Sequence, residues 1–303
     1  AAACKAVYSG SIPDSASIKK MKVGIIGFGF VGNAISNGLK ANTKIFKVDP
    51  KLGTNLHDLK KFNPNVVFVC LPTPMNNDGS QNISLVEDTI DQINKIKIDC
   101  LTVIKSTIHP GNIEKIKSMQ PEFVYNPEFL REKHANEDFI NSNLIVFGGK
   151  NNSVKKLSEF YSTYTKCINK DYIFTDAVTA SLIKYTINSF LATKVIFFNE
   201  INNLFKSSGA DESWENFVNY ISKDKRVGDS HMMVPGHDRR YGFGGACLPK
   251  DANAIVQYAE SLKVDLSLIK KTIKANNKIR AKYNNQTDRE DEQNIKYNIK
   301  REE

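Results

Sequence analysis

The sequence predicts an α/β fold, a doubly wound parallel sheet followed by an all-helical unit built on one long helix. Three observations carry this expectation. From residue 21 to about 171, short β-rich apolar runs alternate with amphipathic helical segments, the pattern of a parallel sheet covered on both faces. The turn Gly27-Phe28-Gly29-Phe30-Val31-Gly32 follows the first run and opens a helix. Residues 177–207 then pass without proline or glycine, which reads as one continuous helix ended by Gly209.

Strands are expected at 22–26, 44–48, 66–71, 101–105, 123–125 and 143–147, each a short apolar run with the length of a buried strand. Between them, 31–41, 83–96, 113–119 and 153–164 carry apolar residues at helical spacing. In the long helix the apolar positions surround the segment, which predicts burial between domains or across a homodimer. A helix at 211–220 with Asp211 as cap, a glycine- and histidine-rich loop at 226–249, and helices at 252–259 and 266–279 complete the central part. Residues after Arg280 turn polar and charged and are expected to fray. The organisation is then a leader at 1–20 (non-native or flexible), a Rossmann-like unit at 21–175, a central helical unit at 176–281 and a polar tail at 282–303.

The 303 residues are enough for two domains, with 41% hydrophobic and 25% charged residues in the globular range. No apolar run approaches the roughly 20 residues that a spanning helix needs, and residues 1–20 lack the apolar core of a signal peptide. No membrane partner is expected. The net charge of +9 is spread over many helices without a nucleic-acid motif. It suits an anionic small substrate at least as well as nucleic acid. Five cysteines without a CxxC pair are neither a disulfide framework nor a zinc site, which predicts a reducing cytoplasm. No histidine has a partner at metal-ligand spacing, so no metal is expected.

The glycine turn predicts dinucleotide binding. Gly27 makes the tight turn, Gly29 admits a pyrophosphate to the backbone, and Gly32 lets helix pack on strand. The helix amino terminus at Phe30 and Val31 then faces the phosphates. Asp49, 22 residues after Gly27, can bind a ribose diol and would repel a 2′-phosphate, which favours NAD over NADP. Leu71-Pro72-Thr73-Pro74 and Lys105-Ser106-Thr107 end later strands, where Pro72, Thr73, Ser106 and Thr107 are placed to line the cofactor.

Lys184 and Asn188 share one face of the long helix, and a lysine on so apolar a helix needs a partner or a task. In Gly244-Gly245-Ala246-Cys247-Leu248-Pro249-Lys250-Asp251 a cysteine precedes a helix that proline can start. An exposed thiol at the positive end of a helix dipole is expected to favour thiolate. Asp251, four residues on, can approach the surroundings of the sulfur.

Taken in order, GFGFVG (27–32), VDP (48–50), LPTP (71–74), KST (105–107), NPEFLRE (126–132), the helix 184–200, DKRVG (224–228) and GFGGACLPKD (242–251) resemble the UDP-glucose/GDP-mannose dehydrogenase family. The resemblance runs from about residue 21 to 280, and the cysteine segment is its most specific piece. It implies a four-electron oxidation of a sugar C6 alcohol, UDP-glucose first, to the carboxylate with two NAD. Cys247 is implied as the nucleophile that forms a thiohemiacetal and then a thioester. Lys184 and Asn188 would stabilise oxyanionic states, and Asp251, Thr107 and Glu128 would order the hydrolytic water. Glu128, Phe129, Leu130, Arg226, Arg239 and Gly244 are implied in substrate binding. GDP-mannose or a UDP-N-acetylhexosamine, a two-electron β-hydroxyacid dehydrogenase, and a non-catalytic NAD-binding protein are the other readings. The family continues into a second α/β domain that binds the nucleotide. The tail here is too short for one, and a short form or a truncated piece is expected.

Overall fold

The computed structural model describes residues 20–297, so the expected leader lies outside it except for Lys20, as do residues 298–303 of the tail. In chain order its strands are β1 (Met21–Ile26), β2 (Thr43–Val48), β3 (Val66–Val69), β4 (Leu101–Ile104), β5 (Val124–Tyr125), β6 (Val146–Gly149) and β7 (Ile173–Thr175). The helices interleaved with them are α1 (Phe30–Gly38), α2 (Leu56–Phe62), α3 (Ser84–Lys95), α4 (Pro110–Met119), α5 (Ala135–Ile140) and α6 (Asn151–Tyr164).

One sheet runs in the order β2-β1-β3-β4-β5-β6-β7. All neighbours are parallel except β5 and β6, which corrects the expected all-parallel sheet at one junction. Successive strand residues point to opposite faces. Val23, Ile25, Phe68 and Val103 pack with Ile35, Phe139, Leu157 and Tyr161 of α1, α5 and α6. Val67, Val69 and Ile104 pack with Leu59, Ile90, Ile93 and Ile116 of α2, α3 and α4. Burial on both faces explains why these strands read as continuous apolar runs. Three elements that the apolar pattern did not reveal are β7, whose Ile173 and Phe174 are exposed, the short helix α2, capped by the Asn55 side chain, and the six-residue helix α5. The strand expected at 143–147 sits at Val146–Gly149 instead.

From β7 the chain enters α7 (Ala177–Ser207), whose ends agree with the uninterrupted sequence run; Asp176 caps it by accepting from Thr179 N at 2.9 Å. A Cβ at Gly148 of β6 would stand 2.6 Å from Ala180 Cβ, so the start of α7 seats directly on the sheet. After α8 (Trp214–Ile221), capped by Ser213 rather than Asp211, come α9 (Leu248–Ser261) and α10 (Ser267–Arg280). α9 begins at Leu248, ahead of the expected 252, because Pro249 fits the first helical turn. Tyr185 of α7 packs with Ala254 and Ile255 of α9, and Ala192 and Ile196 pack with Phe243 and Ile279. The opposite side of α7 is open: Phe190, Phe197 and Leu204, seven residues apart, are 62%, 55% and 64% exposed. α7 therefore is not buried all round; it carries one exposed apolar line.

The expected fraying after Arg280 does not hold for 282–297. Thr287 and Glu290 form a capping box on α11 (Asp288–Glu292), and Glu290 and Ile295 are fully buried. Among the described residues no helix is long and apolar enough to cross a membrane.

Candidate active site

The loops that leave β1, β3 and β4 meet at one end of the sheet, outside the carboxyl ends of the strands. Gly27 takes φ +85°, and a Cβ there would stand 2.6 Å from the Cys70 carbonyl oxygen of the next loop. At Gly32 a Cβ would stand 2.2 Å from the Gly27 carbonyl oxygen, so only glycine lets α1 close on β1. The middle glycine differs. Among the described residues nothing lies within 4 Å of a Cβ at Gly29, and no side chain caps α1. Its first-turn N–H groups are thus left for an anion, and the cradle fits a dinucleotide pyrophosphate. Asp49 closes the loop from the end of β2: its carboxylate accepts from Phe28 N at 2.7 Å and from Lys51 N at 2.9 Å. The neighbouring hydroxyls build the loops themselves. Ser106 Oγ accepts from Leu71 N at 2.9 Å, and Thr73 Oγ1 donates to the Thr107 carbonyl at 2.8 Å. Gln81 Nε2 donates to the same carbonyl and to Tyr185 Oη on α7, fixing the sheet end to the long helix. Pro72 lies in the loop between these contacts.

Beside this crevice lie two buried ion pairs. Lys184 of α7 donates to Glu128 Oε1 at 3.2 Å, while Glu128 Oε2 accepts from Leu130 N at 2.7 Å. One turn along, Asn188 Nδ2 donates to Asp251 Oδ2 at 2.6 Å, and Lys250 Nζ donates to Asp251 Oδ1 at 2.6 Å. The four-residue spacing on α7 thus serves two carboxylates on different elements. The Lys184 ammonium also stands 5.3 Å from the centre of the Phe129 ring. Burial works to lower the Lys184 pKa, but Glu128, Cys247 and Asp251 together hold it above the usual lysine value. Burial likewise works to raise Glu128, and Lys184 with the Leu130 N–H holds it below the usual carboxylate range. Both groups therefore keep their charges at neutral pH.

Cys247 caps α9 from within the field of these charges, and the expectation of a thiolate is reversed. Burial pushes its thiol up to about 11; Lys250 lowers it, Glu128 and Asp251 raise it further, and Lys184 lowers it. Desolvation outweighs the dipole here because the first two turns of α9 are themselves buried, from Pro249 to Val256. The loop before Cys247 is irregular, as expected, and is pinned from two helices. Asn199 of α7 accepts from Gly242 N at 2.9 Å, and Asn276 of α10 bonds Phe243 N at 2.7 Å and Phe243 O at 2.9 Å.

Cys247, Lys184, Asn188, Asp251 and Glu128 are thus brought together. Arg226 and Arg239 are not: both are exposed, and the guanidinium of Arg226 closes on Asp224. Gly244, expected against a substrate, has the Glu290 carboxylate and the Arg280 guanidinium against it instead, 2.4 and 2.5 Å from where a Cβ would be. Three residues escaped the sequence reading. Lys105 is buried and donates to Asn126 Oδ1 at 3.1 Å; burial takes its pKa down to about 8, with Glu128 among the charges that support the ammonium. Lys250 is the third. All three stand inside the quoted motifs; for Lys105 and Lys250 the available signal is a lysine next to strand- or helix-buried positions, and Asn126 carries none. Among the described residues no group of three or more His, Cys, Asp or Glu side chains is placed to hold a metal.

Residues 53–165 match the family model of the NAD binding domain of the UDP-glucose/GDP-mannose dehydrogenase family, and residues 178–278 match its central domain. The chain is 35% identical over 232 residues to a UDP-glucose 6-dehydrogenase of Rickettsia typhi, covering 74% of this chain and 51% of that protein. It is also 35% identical over 224 residues to UDP-glucose 6-dehydrogenase YwqF of Bacillus subtilis, covering 70% and 48%. The chain therefore spans about half the length of the curated relatives it matches. Among solved structures, a UDP-glucose dehydrogenase from Pyrobaculum islandicum superposes with a TM-score of 0.69 at 25% identity, over 88% of this chain and 70% of that one. A 3-hydroxyisobutyrate dehydrogenase of Mycobacterium tuberculosis shares the fold at 16% identity, with a TM-score of 0.62 over 86% and 94%.

Proposed function

This chain belongs to the UDP-glucose/GDP-mannose dehydrogenase family, and from that membership we propose that it is a nucleotide-sugar 6-dehydrogenase that oxidises UDP-glucose to UDP-glucuronate. The observation that carries the reading is the meeting of a thiol, two lysine–carboxylate pairs and an amide at the mouth of the glycine-loop crevice. UDP-glucose is preferred because the relatives at 35% identity carry that name. Two NAD molecules in succession, each held by the residues 27–32 and Asp49 with Pro72, Thr73, Ser106 and Thr107 beside it, would each accept one hydride per sugar.

The residues of the chain account for the remaining chemistry. Cys247 adds to the C6 aldehyde as a thiohemiacetal, which keeps the C–H that the second oxidation removes. The resulting thioester is cleaved by water, which supplies the second carboxylate oxygen and returns the thiol. Lys184 and Asn188 donate toward oxygen atoms that become negative at C6. Asp251, held by Asn188 and Lys250, orients the water, with Thr107 and Glu128 completing its surroundings. The backbone at Glu128-Phe129-Leu130, fixed by the Glu128–Leu130 bond, supports the hexose. The test is stoichiometry: two NADH and one uronate per UDP-glucose are expected, and one NADH with a stable two-electron product would overturn the proposal in favour of a β-hydroxyacid-type reaction.

Asp49→Ala is expected to weaken NAD binding about tenfold, roughly 1.4 kcal/mol, and to leave UDP-glucose binding unchanged. Calorimetry with each ligand checks this; equal losses for both would remove Asp49 from the ribose site.

We also propose a homodimer through α7. The exposed line Phe190, Phe197 and Leu204 repeats every seven residues, which suits a helix laid against its own copy. Phe190→Glu with Phe197→Glu is expected to yield monomers in sedimentation equilibrium, and an unchanged mass would exclude this face. The free cysteines Cys70, Cys100, Cys167 and Cys247 fit a reducing compartment, and we place the enzyme in the cytoplasm.

A further inference from the structure

The segment 287–297 lies across the same loops that a ligand must reach. Arg289 pairs with Glu132 at 2.9 Å and stands 5.7 Å from the centre of the ring of Phe30, the first residue of α1. Gln293 O accepts from Met75 N at 3.0 Å, and Asn294 Nδ2 donates to Met75 O at 2.7 Å, in the loop after β3. Between these two contacts Glu290 enters the cysteine loop, and its Oε1 accepts from Gly245 N at 3.2 Å. One short segment thus touches the glycine-loop helix, the β3 loop and the cysteine loop together.

The Glu290 carboxylate sits in a built anion cradle. Its further contacts are Thr287 N at 2.8 Å, Tyr297 Oη at 2.5 Å, Arg280 Nη1 at 3.7 Å and Arg240 Nη1 at 3.9 Å. Arg280 is buried, and among the described residues its Nε and Nη1 have no hydrogen-bond partner. Its Nη2 is used by Asp238 at 2.7 Å and Gly242 O at 3.2 Å. A buried guanidinium left partly unsatisfied is costly. A planar carboxylate with two oxygens already shared among three other donors does not satisfy it, whereas a phosphate group offers more acceptor oxygens.

We propose that segment 287–297 is an autoinhibitory strap in which the Glu290 carboxylate holds the place of a diphosphate group of the substrate beside Gly244 and Gly245, so that strap and nucleotide sugar bind in competition. The inference rests on the proposed nucleotide-sugar substrate for the identity of the ligand, but not for the existence of the cradle. A strap closed most of the time lowers apparent affinity by the fraction of molecules that are open. Weakening the strap therefore tightens binding.

The test uses the whole chain, with Glu290→Gln and, as a second variant on a side chain outside the cradle, Arg289→Ala. Calorimetry with inorganic pyrophosphate, UDP-glucose and NAD is paired with hydrogen exchange of the amides in 287–297. Glu290→Gln is expected to bind pyrophosphate and UDP-glucose about tenfold tighter and Arg289→Ala about threefold tighter, and both ligands should accelerate exchange across 287–297 in the unaltered chain. Unchanged or weaker binding in both variants, or full protection of 287–297 in the presence of ligand, would overturn the strap. Tightening for NAD alone would overturn the assignment of Glu290 to the substrate side. Pyrophosphate separates this inference from the function. If it displaces the strap in a chain that does not oxidise UDP-glucose, only the function has failed; if UDP-glucose is oxidised with the strap still protected, only the strap has.

Discussion

In Cys247→Ala, uronate formation is expected to fall at least about a thousandfold, because the second oxidation has no sulfur on which to hold the aldehyde. Removal of the thiol does not touch Lys184, Asn188 or the glycine loop, so slow release of aldehyde with one NADH per sugar should persist. The pH dependence provides a second readout. With the Cys247 thiol pushed up to about 11 by burial, the thiolate fraction rises tenfold per pH unit below that value. Where attack by the free thiolate limits turnover, acid formation by the unaltered enzyme should climb with a slope near one between pH 7 and 9. The aldehyde formed by Cys247→Ala should lack that slope. Product analysis by chromatography alongside NADH absorbance decides the matter, and equal uronate yields from both proteins would refute the assigned nucleophile.

What was legible in the sequence is what local rules determine. α7 is readable to both ends because nothing in residues 177–207 breaks a helix and Gly209 follows it. The glycine turn and the Lys184–Asn188 face are readable because each follows from spacing along one element, and Asp49 because it follows the next strand at a fixed distance from the turn. Pairings were not. Glu128 meets Lys184 across 56 residues and Asp251 meets Asn188 across 63, and no periodicity encodes which carboxylate a lysine will find. The protonation of Cys247 differs from expectation for the same reason: the dipole is local and visible, while the desolvation that overrides it is tertiary. The antiparallel pairing of β5 with β6 is hidden because both strands are short and buried. The order in the tail has a local signature. Thr287-Asp288-Arg289-Glu290 is a capping-box pattern, but its charge density masked it as a solvated end.

Lys184→Met is expected to destabilise the fold by about 3–5 kcal/mol near neutral pH, beyond the loss of one hydrogen bond, because Glu128 is left charged and buried with its ion-pair partner gone. The sign of the pH effect follows. In the unaltered protein Glu128 is held below its usual range by Lys184, so the pair contributes stability above the unfolded carboxylate pKa and loses it as pH falls through the folded value. In the variant the largest remaining influence, burial, acts in the opposite direction and raises that pKa, and protonation relieves the unpaired charge. The stability gap between the two proteins should therefore narrow from pH 7 to pH 4.5, as read from urea midpoints at each pH. Adding Glu128→Gln to Lys184→Met should recover a large part of the loss at pH 7, since it removes the buried charge without changing the volume. Activity should not return with stability: oxygen atoms at C6 would still lack the Lys184 ammonium, and turnover is expected to stay at least a hundredfold down in the double variant. A double variant that regained both would make Lys184 a purely structural partner of Glu128, and a gap that did not narrow at low pH would mean that Glu128 had found another cation, with the nearby buried Lys105 the first candidate.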